Sequence, residues 1–419
     1  MNGPLQRFLA ATIKTGELEV VDSSGKRHRF GDGSGTPVRI RFHSTAAERA
    51  VLFDPEMKLG EEYVNGGYDV EAGSILDLLR ILIENVGPRG RTWWMTALSG
   101  VRHLVRRLSE NNNFAHARRN VHRHYDRDGR LYSLFLDDNR QYSCAYFEDG
   151  VTSLDEAQMA KMRHLAAKLN LMPGQRVLDI GSGWGGLGLY LAEHFEVDVT
   201  GVTVSDEQFT ISNQRAKALG LDKHVRFVNQ DYRRISGVFD RIVSVGMFEH
   251  VGLARYGEFF RGVERLLARD GVAVVHTIAK KDTPGPINPW MQSYIFPGAY
   301  LPTLSELAPQ IERQGFWLTD LEVWRLHYAN TLAAWNQRFQ ARRAEAAAIF
   351  GEPFCRMWEF YFQLCEIGFR YQGLCVFQLQ LAKSIDVVPL TRDYVYGGRR
   401  RGAERPVAVQ TAGPLRRSA

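Results

Sequence analysis

Ten residues constrain this chain more than any others. From Val177 to Gly186 they read VLDIGSGWGG. An apolar run enters Asp179, four glycines fall within residues 181–186, and a helical pattern opens behind them at Leu187, Leu189, Tyr190 and Leu191. Glycine lets the backbone reach contact distance with a ligand because no Cβ intervenes, and a helix start offers free N–H groups. Four glycines so close together are costly in conformational entropy, which argues against a purely structural turn. The stretch predicts a strand, a ligand-binding turn and a helix.

Two ligand classes fit such a turn. Gly181, Gly183 and Gly186 match the dinucleotide spacing G-x-G-x-x-G. Asp179 argues against that match, because it sits immediately before the turn and repels a pyrophosphate. It suits a cationic group instead, such as the amino group of S-adenosylmethionine. The second strand, moreover, ends Gly201-Val-Thr-Val-Ser205 with no acid at its tip to hold a ribose; Asp206 lies just past it.

From about residue 155 the pattern alternates. Candidate strands at 176–180, 197–204, 224–229, 239–245 and 271–277 are separated by helical patterns at 155–169, 186–194, 206–219 and 254–268. That alternation predicts an α/β, doubly wound, Rossmann-like parallel sheet, with ligands beyond the carboxyl ends of its strands. Asp179, Gly181, Thr203, Asp231, residues 246–250 and His276 fall at those ends. Residues 283–375 are unusually rich in aromatic side chains, which predicts a packed helical cap with a few rings facing a cavity. Val376–Ala382 reads as a last strand. Residues 1–90 read as a separate small α+β domain, with strands Leu18–Val21 and Val38–Phe42 on either side of a glycine-rich turn at 31–35. Residues 91–130 read as a basic helical connector, 131–390 as the main domain with an insertion at about 283–345, and 391–419 as a basic tail.

Composition narrows the class. No run approaches the roughly 18 apolar residues of a membrane span, and the first residues carry no apolar signal core, so a cytoplasmic protein is expected. The four cysteines, Cys144, Cys355, Cys365 and Cys375, fit no common zinc spacing, and no metal is expected. The net charge of +6 is uneven. Residues 399–417 hold six arginines against Glu404, and residues 102–130 hold eight arginines with four histidines between them. Such patches suit polyanions, either anionic lipid headgroups or nucleic acid, although solvated charge is the plainer reading of the tail.

Six segments make the pattern specific: QYSCAY at 141–146, the glycine turn, VSVGMFEHVG at 243–252, HTI at 276–278, YIFPG at 294–298 and YANTL at 328–332. In these the chain resembles the cyclopropane-fatty-acyl-phospholipid synthases, a branch of the S-adenosylmethionine-dependent methyltransferases that includes the mycolic acid cyclopropane synthases. The resemblance covers about 120–385. More weakly, LGEEY at 59–63 resembles the small lipid-binding domain of the bacterial phospholipid enzymes. A departure falls at Arg127-Asp-Gly129, where the family generally has Gly-Asn.

The resemblance implies a class I methyltransferase fold with a helical cap, and methylene transfer from S-adenosylmethionine to the cis double bond of a phospholipid acyl chain. The alkene attacks the sulfonium methyl, and loss of a proton from the resulting carbocation closes the ring. The implied base is a bound bicarbonate, held by Cys144, Glu249, His276, the main chain of Ile278, and Tyr328. For the cofactor, Tyr142 and Ser143 are expected at the methionine part. Gly181 and Gly183 give backbone approach beside Asp179, Thr203 and Gln208 reach ribose or carboxylate, and Asp231 reaches the adenine amino group. Expected partners are unsaturated phospholipids at the inner membrane face, with anionic headgroups, no nucleic acid, and a second copy in a homodimer. Two other readings stay open: C-methylation without ring closure, and a basic nucleic-acid methyltransferase, against which no base-flipping motif is found.

Overall fold

The computed structural model describes residues 3–86 and 129–397. The arginines of 102–127 and of 399–417, and the departure at Arg127, therefore lie outside the described residues.

The first unit runs α1 (Gly3–Thr12), β1 (Leu18–Val21), β2 (Arg27–Phe30), β3 (Val38–Phe42), α2 (Thr45–Phe53), α3 (Pro55–Val64), β4 (Tyr68–Ala72) and α4 (Ile75–Val86). Its four strands lie in the order β2-β1-β3-β4. The glycine-rich turn does not join two neighbouring strands, because β2 intervenes: it pairs antiparallel with β1, while β1 pairs parallel with β3. Glu19 on β1 draws in Arg29 of β2 (3.2 Å) and Arg39 of β3 (2.8 Å), which ties the charged strand RHRF into the sheet. Ser44 caps α2, its hydroxyl accepting from the Ala47 N–H at 3.1 Å. One face of α4 buries Ile75, Leu78, Leu79 and Ile81.

The larger unit continues with α5 (Gly129–Tyr132), α6 (Leu154–Leu169), β5 (Arg176–Ile180), α7 (Gly186–Phe195), β6 (Asp198–Thr203), α8 (Asp206–Ala218), β7 (Val225–Asn229) and β8 (Phe239–Val245). Then follow α9 (Tyr256–Leu266), β9 (Leu267–Lys280), α10 (Pro289–Tyr294), α11 (Leu304–Arg313), β10 (Trp317–Trp324), α12 (His327–Ala341), α13 (Arg343–Phe350), α14 (Glu352–Tyr371), β11 (Leu374–Ala382) and α15 (Asp393–Tyr396). Seven strands form one sheet, in the order β10-β11-β9-β8-β5-β6-β7. Strands β5 to β9 pair parallel, and β11 is antiparallel to both β9 and β10. The chain order reverses at β5, which lies between β6 and β8. That reversal opens the crevice beyond the carboxyl ends of β5 and β8 in which ligands of such sheets sit.

Strand β9 runs to Lys280, so His276 lies within the strand rather than at its end, opposite Gln378 of β11. The helical layer over the crevice is α10, α12, α13 and α14, reaching Tyr371. Within the expected insertion, β10 instead joins the sheet, and α11 packs on α9 and β10 beside it. The layer shares one hydrophobic core with the first unit, through Tyr63, Tyr68, Leu78, Trp290, Trp358 and Phe360. Arg356 of α14 fastens the two: its Nη2 donates to the Tyr68 carbonyl (2.7 Å) and its Nη1 to Asp69 (2.7 Å). Gly60 leaves no room for a larger residue, since a Cβ there would lie 2.6 Å from the Trp290 indole nitrogen and 2.7 Å from the Phe360 ring. Among the described residues no helix is long and apolar enough to cross a membrane.

Candidate active site

Two cavities meet at the crevice. The smaller, of about 180 Å³, lies over the glycine turn. Gly181 and Gly183 hold φ of +84° and +55°, a region that L side chains rarely adopt, and a Cβ at Gly183 would project into open space. Three buried polar atoms of its lining have no hydrogen-bond partner among the described residues: Asp179 Oδ2, Ser182 Oγ and the Trp184 indole N–H. Burial pushes the Asp179 carboxyl up to about 7, against the pull of Lys161. An unsatisfied carboxylate oxygen at a cavity wall is stabilised by an incoming ammonium group. The turn and these three atoms fit the methionine end of S-adenosylmethionine.

The other expected cofactor residues line the same cavity. Thr203 and Gln208 are bonded to one another, the Thr203 hydroxyl donating to Gln208 Oε1 at 2.7 Å, which leaves the Gln208 amide N–H groups to donate onward. Asp231 follows β7, and both its oxygens accept from Arg233 (2.9 and 2.6 Å) while it also caps the short helix behind it. Its Oδ2, which accepts one of these bonds, keeps a lone pair that can accept from the adenine amino group expected there. Tyr142 and Ser143 line both cavities. The Tyr142 ring stacks on Trp335 (centroids 5.1 Å), and its hydroxyl is 2.8 Å from that of Tyr361.

The larger cavity, of about 1370 Å³, has an apolar upper wall and a polar floor. The cap contributes Phe296, Tyr328, Phe360, Leu364 and Phe369, and the first unit contributes Leu9 of α1 with Leu79, Leu82 and Ile83 of α4. The floor holds Cys144, Glu249 and His276. Glu249 is 4% exposed, and its Oε1 accepts the Ile278 N–H at 2.6 Å, while its buried Oε2 has no hydrogen-bond partner among the described residues. Burial raises its carboxyl to about 7, opposed chiefly by that N–H bond. Gln378 Nε2 donates to His276 Nδ1 at 3.0 Å, so the cavity receives a neutral imidazole whose Nε2 carries the hydrogen. Burial holds that ring well below its usual range. The Cys144 thiol is fully buried, which pushes it far up and keeps it protonated. Tyr328 packs against Trp335 and Phe369.

The residues expected to hold bicarbonate therefore line one cavity, Cys144, Glu249 and His276 on its floor and Tyr328 in the cap, and the Ile278 N–H is bonded to Glu249. The orphaned Glu249 oxygen and the His276 N–H supply one acceptor and one donor, which suits an anion that carries its own hydroxyl. Sequence reasoning missed Lys161, and it placed Gly246 and His250 at a strand end without giving them a role. Gly246 and His250 line both cavities, and burial lowers the His250 ring to about 4. Cys365 also lines the larger cavity.

Residues 112–379 match the family described as mycolic acid cyclopropane synthetase. The chain belongs to that family. It is 37% identical over 352 residues to the cyclopropane-fatty-acyl-phospholipid synthase of Escherichia coli K12, a match covering 84% of this chain and 89% of that one. It is 33% identical over 342 residues to the tuberculostearic acid methyltransferase UfaA1 of Mycobacterium tuberculosis, covering 77% and 78%. Among solved structures, the mycolic acid cyclopropane synthase CmaA1 complexed with SAH and CTAB superposes with a TM-score of 0.60 at 33% identity, covering 63% of this chain and 97% of that one. This family member is accordingly an S-adenosylmethionine-dependent methyltransferase acting in cyclopropane fatty acid formation or a related lipid methylation. The family thus settles the cofactor as S-adenosylmethionine rather than a dinucleotide.

Proposed function

We propose that the enzyme adds a methylene group to the cis double bond of a phospholipid acyl chain and closes a cyclopropane ring, with bound bicarbonate as the base. One observation carries this reading: the cofactor cavity adjoins, across Tyr142, Ser143, Gly246 and His250, a largely apolar cavity with a carboxylate and an imidazole on its floor. S-adenosylmethionine supplies an electrophilic methyl group, and bicarbonate a proton acceptor. The chain supplies alignment and dryness. An alkene is a weak nucleophile, so holding it against the partition between the cavities is the main service. The rings of Phe296, Tyr328 and Phe369 exclude water from the developing cation, and each aromatic face stabilises it by about 0.5–2 kcal/mol. Glu249, His276 and Tyr328 would hold the bicarbonate, the carboxylate as an acceptor and the imidazole N–H and the phenol as donors, with Cys144 a small polar neighbour.

Access to the acyl chain is the second part of the proposal. The arginines of 102–130 dock on anionic headgroups at the inner membrane face, and the first unit, whose α1 and α4 wall the cavity, guides the chain inward. Charge reversal at Arg106, Arg107, Arg118 and Arg119 is expected to abolish vesicle binding and turnover together; unchanged binding refutes the docking. The protein is proposed to work as a homodimer. The base is tested in buffer depleted of carbon dioxide. Turnover on vesicles of a cis-monounsaturated phospholipid falls there and recovers with added bicarbonate; turnover independent of bicarbonate refutes that role. C-methylation without ring closure remains the second reading, favoured by the 33% identical relative named for tuberculostearic acid.

A further inference from the structure

Residues 141–144 form the partition between the two cavities. Gln141 lines the cofactor side, Cys144 the acyl side, and Tyr142 and Ser143 line both. The methyl group must cross here, so the position of this segment sets the distance over which transfer occurs. It belongs to no helix or strand of its own, and its placement needs an external cause.

That cause is one face of α6. Gln158 and Lys161 lie three residues apart and so project from the same side of the helix. Gln158 Nε2 donates to the main-chain carbonyls of Gln141 (3.2 Å) and Ser143 (3.0 Å). Lys161 Nζ donates to the side chains of the same two residues, Gln141 Oε1 and Ser143 Oγ, both at 2.7 Å. Residues 141 and 143 thus face α6, while Tyr142 turns to Trp335 and Tyr361. Lys161 is completely buried. A lysine in that position has lost its hydration, and only well-directed acceptors offset the loss. Here those acceptors are the partition itself. The carboxylates of Asp137 and Asp179 and the Cys144 thiol are the titrating groups that act on it. Asp137 in turn holds the start of the segment, accepting from the Gln141 N–H at 2.8 Å.

We infer that Lys161 is a positioning residue for methyl transfer: its ammonium ties Gln141 and Ser143 to α6 and so fixes the wall between cofactor and acyl chain. The inference rests on the proposed function for its acyl side and on the cofactor cavity alone for the other.

The test is a double-mutant cycle in the full chain, read first as calorimetric affinity for S-adenosylhomocysteine, which needs no acceptor lipid. Lys161→Met weakens binding about tenfold, and Gln141→Met with Ser143→Ala weakens it to a similar degree. The triple variant is no more than about threefold worse than either, because contacting residues are not additive. At saturating cofactor and vesicles, the kcat of Lys161→Met falls by about 10²-fold, the cost of a displacement near 1 Å. A triple variant whose loss is the product of the two overturns the inference, as does Lys161→Met with unchanged affinity and kcat. Should Lys161→Met not fold, Gln141→Met with Ser143→Ala removes both acceptors and must show the same kcat loss; wild-type kcat in that variant overturns the inference. If the wild type itself turns over no unsaturated phospholipid, the acyl reading fails, and the cofactor half is still decided by the affinity cycle.

Discussion

Glu249→Gln makes the enzyme more stable and nearly inactive. Glutamine preserves the shape of the side chain and keeps an oxygen for the Ile278 N–H, but it cannot bear a charge. In the folded protein the carboxyl is carried from 4.5 to about 7, mainly by burial. A folded value above the unfolded one stabilises the fold fully below 4.5, and that contribution is lost as the pH rises through about 7. At pH 8 the fold therefore confines a charge that the unfolded chain hydrates freely. At 1.36 kcal/mol per factor of ten, the wild type is about 3 kcal/mol less stable there than with a neutral isostere. At pH 5 the difference is under about 1 kcal/mol by the same relation. Denaturant unfolding of the ligand-free protein at the two pH values measures both numbers. Turnover of Glu249→Gln falls by about 10²- to 10⁴-fold, the usual worth of the proton-transfer machinery. A glutamine variant no more stable than wild type at pH 8 refutes the buried-charge argument, and one that keeps half its turnover refutes the catalytic role.

Three further outcomes follow from the same geometry. In the wild type, the KM for S-adenosylmethionine rises as pH falls from 8 to 6, because the Asp179 charge is present above about 7 and lost below it; in Asp179→Asn it is about tenfold higher at pH 8, as for loss of one charged hydrogen bond, and flat with pH. A pH-independent wild-type KM contradicts this. Gly60→Ala costs about 1–3 kcal/mol in denaturant unfolding, because the new methyl overpacks the junction with Trp290 and Phe360; unchanged stability means the two units do not close there. Leu82→Trp narrows the acyl cavity from the α4 side and shifts the product mixture toward shorter chains; an unchanged mixture from mixed-chain vesicles shows that α4 does not line the path.

The sheet was legible because its strands are short apolar runs between amphipathic helices, and β5 and β8 fall on the residues read from the sequence. Among the elements that were not legible, three have local reasons. Strand β2 is RHRF, with only Phe30 buried, and it takes its place through Glu19 rather than an apolar pattern. Strand β10 is an edge, and Trp317, Leu318 and Val323 stay substantially exposed, so its period-two alternation is blurred. Helix α3 opens on Pro55 and carries three glutamates, which hide its apolar face until the cap is laid against it. The residues of the glycine turn and of the acyl-cavity floor fall on motifs that the sequence carries. The supporting residues do not, since Gln158, Lys161 and His164 give α6 the polarity of a solvated helix, and their burial follows only from the segment packed over them. The bond from the Ile278 N–H to Glu249 was not legible for a related reason: it depends on a side chain 29 residues away.

Mass spectrometry of fatty acids tests the central claim most directly. The purified protein is incubated with S-adenosylmethionine, bicarbonate and vesicles of a cis-monounsaturated phospholipid, and the released acids are weighed before and after mild hydrogenation. The account predicts a product one CH₂ heavier that takes up no H₂, as a ring does. A product one CH₂ heavier that does take up H₂ has kept its double bond, and contradicts ring closure.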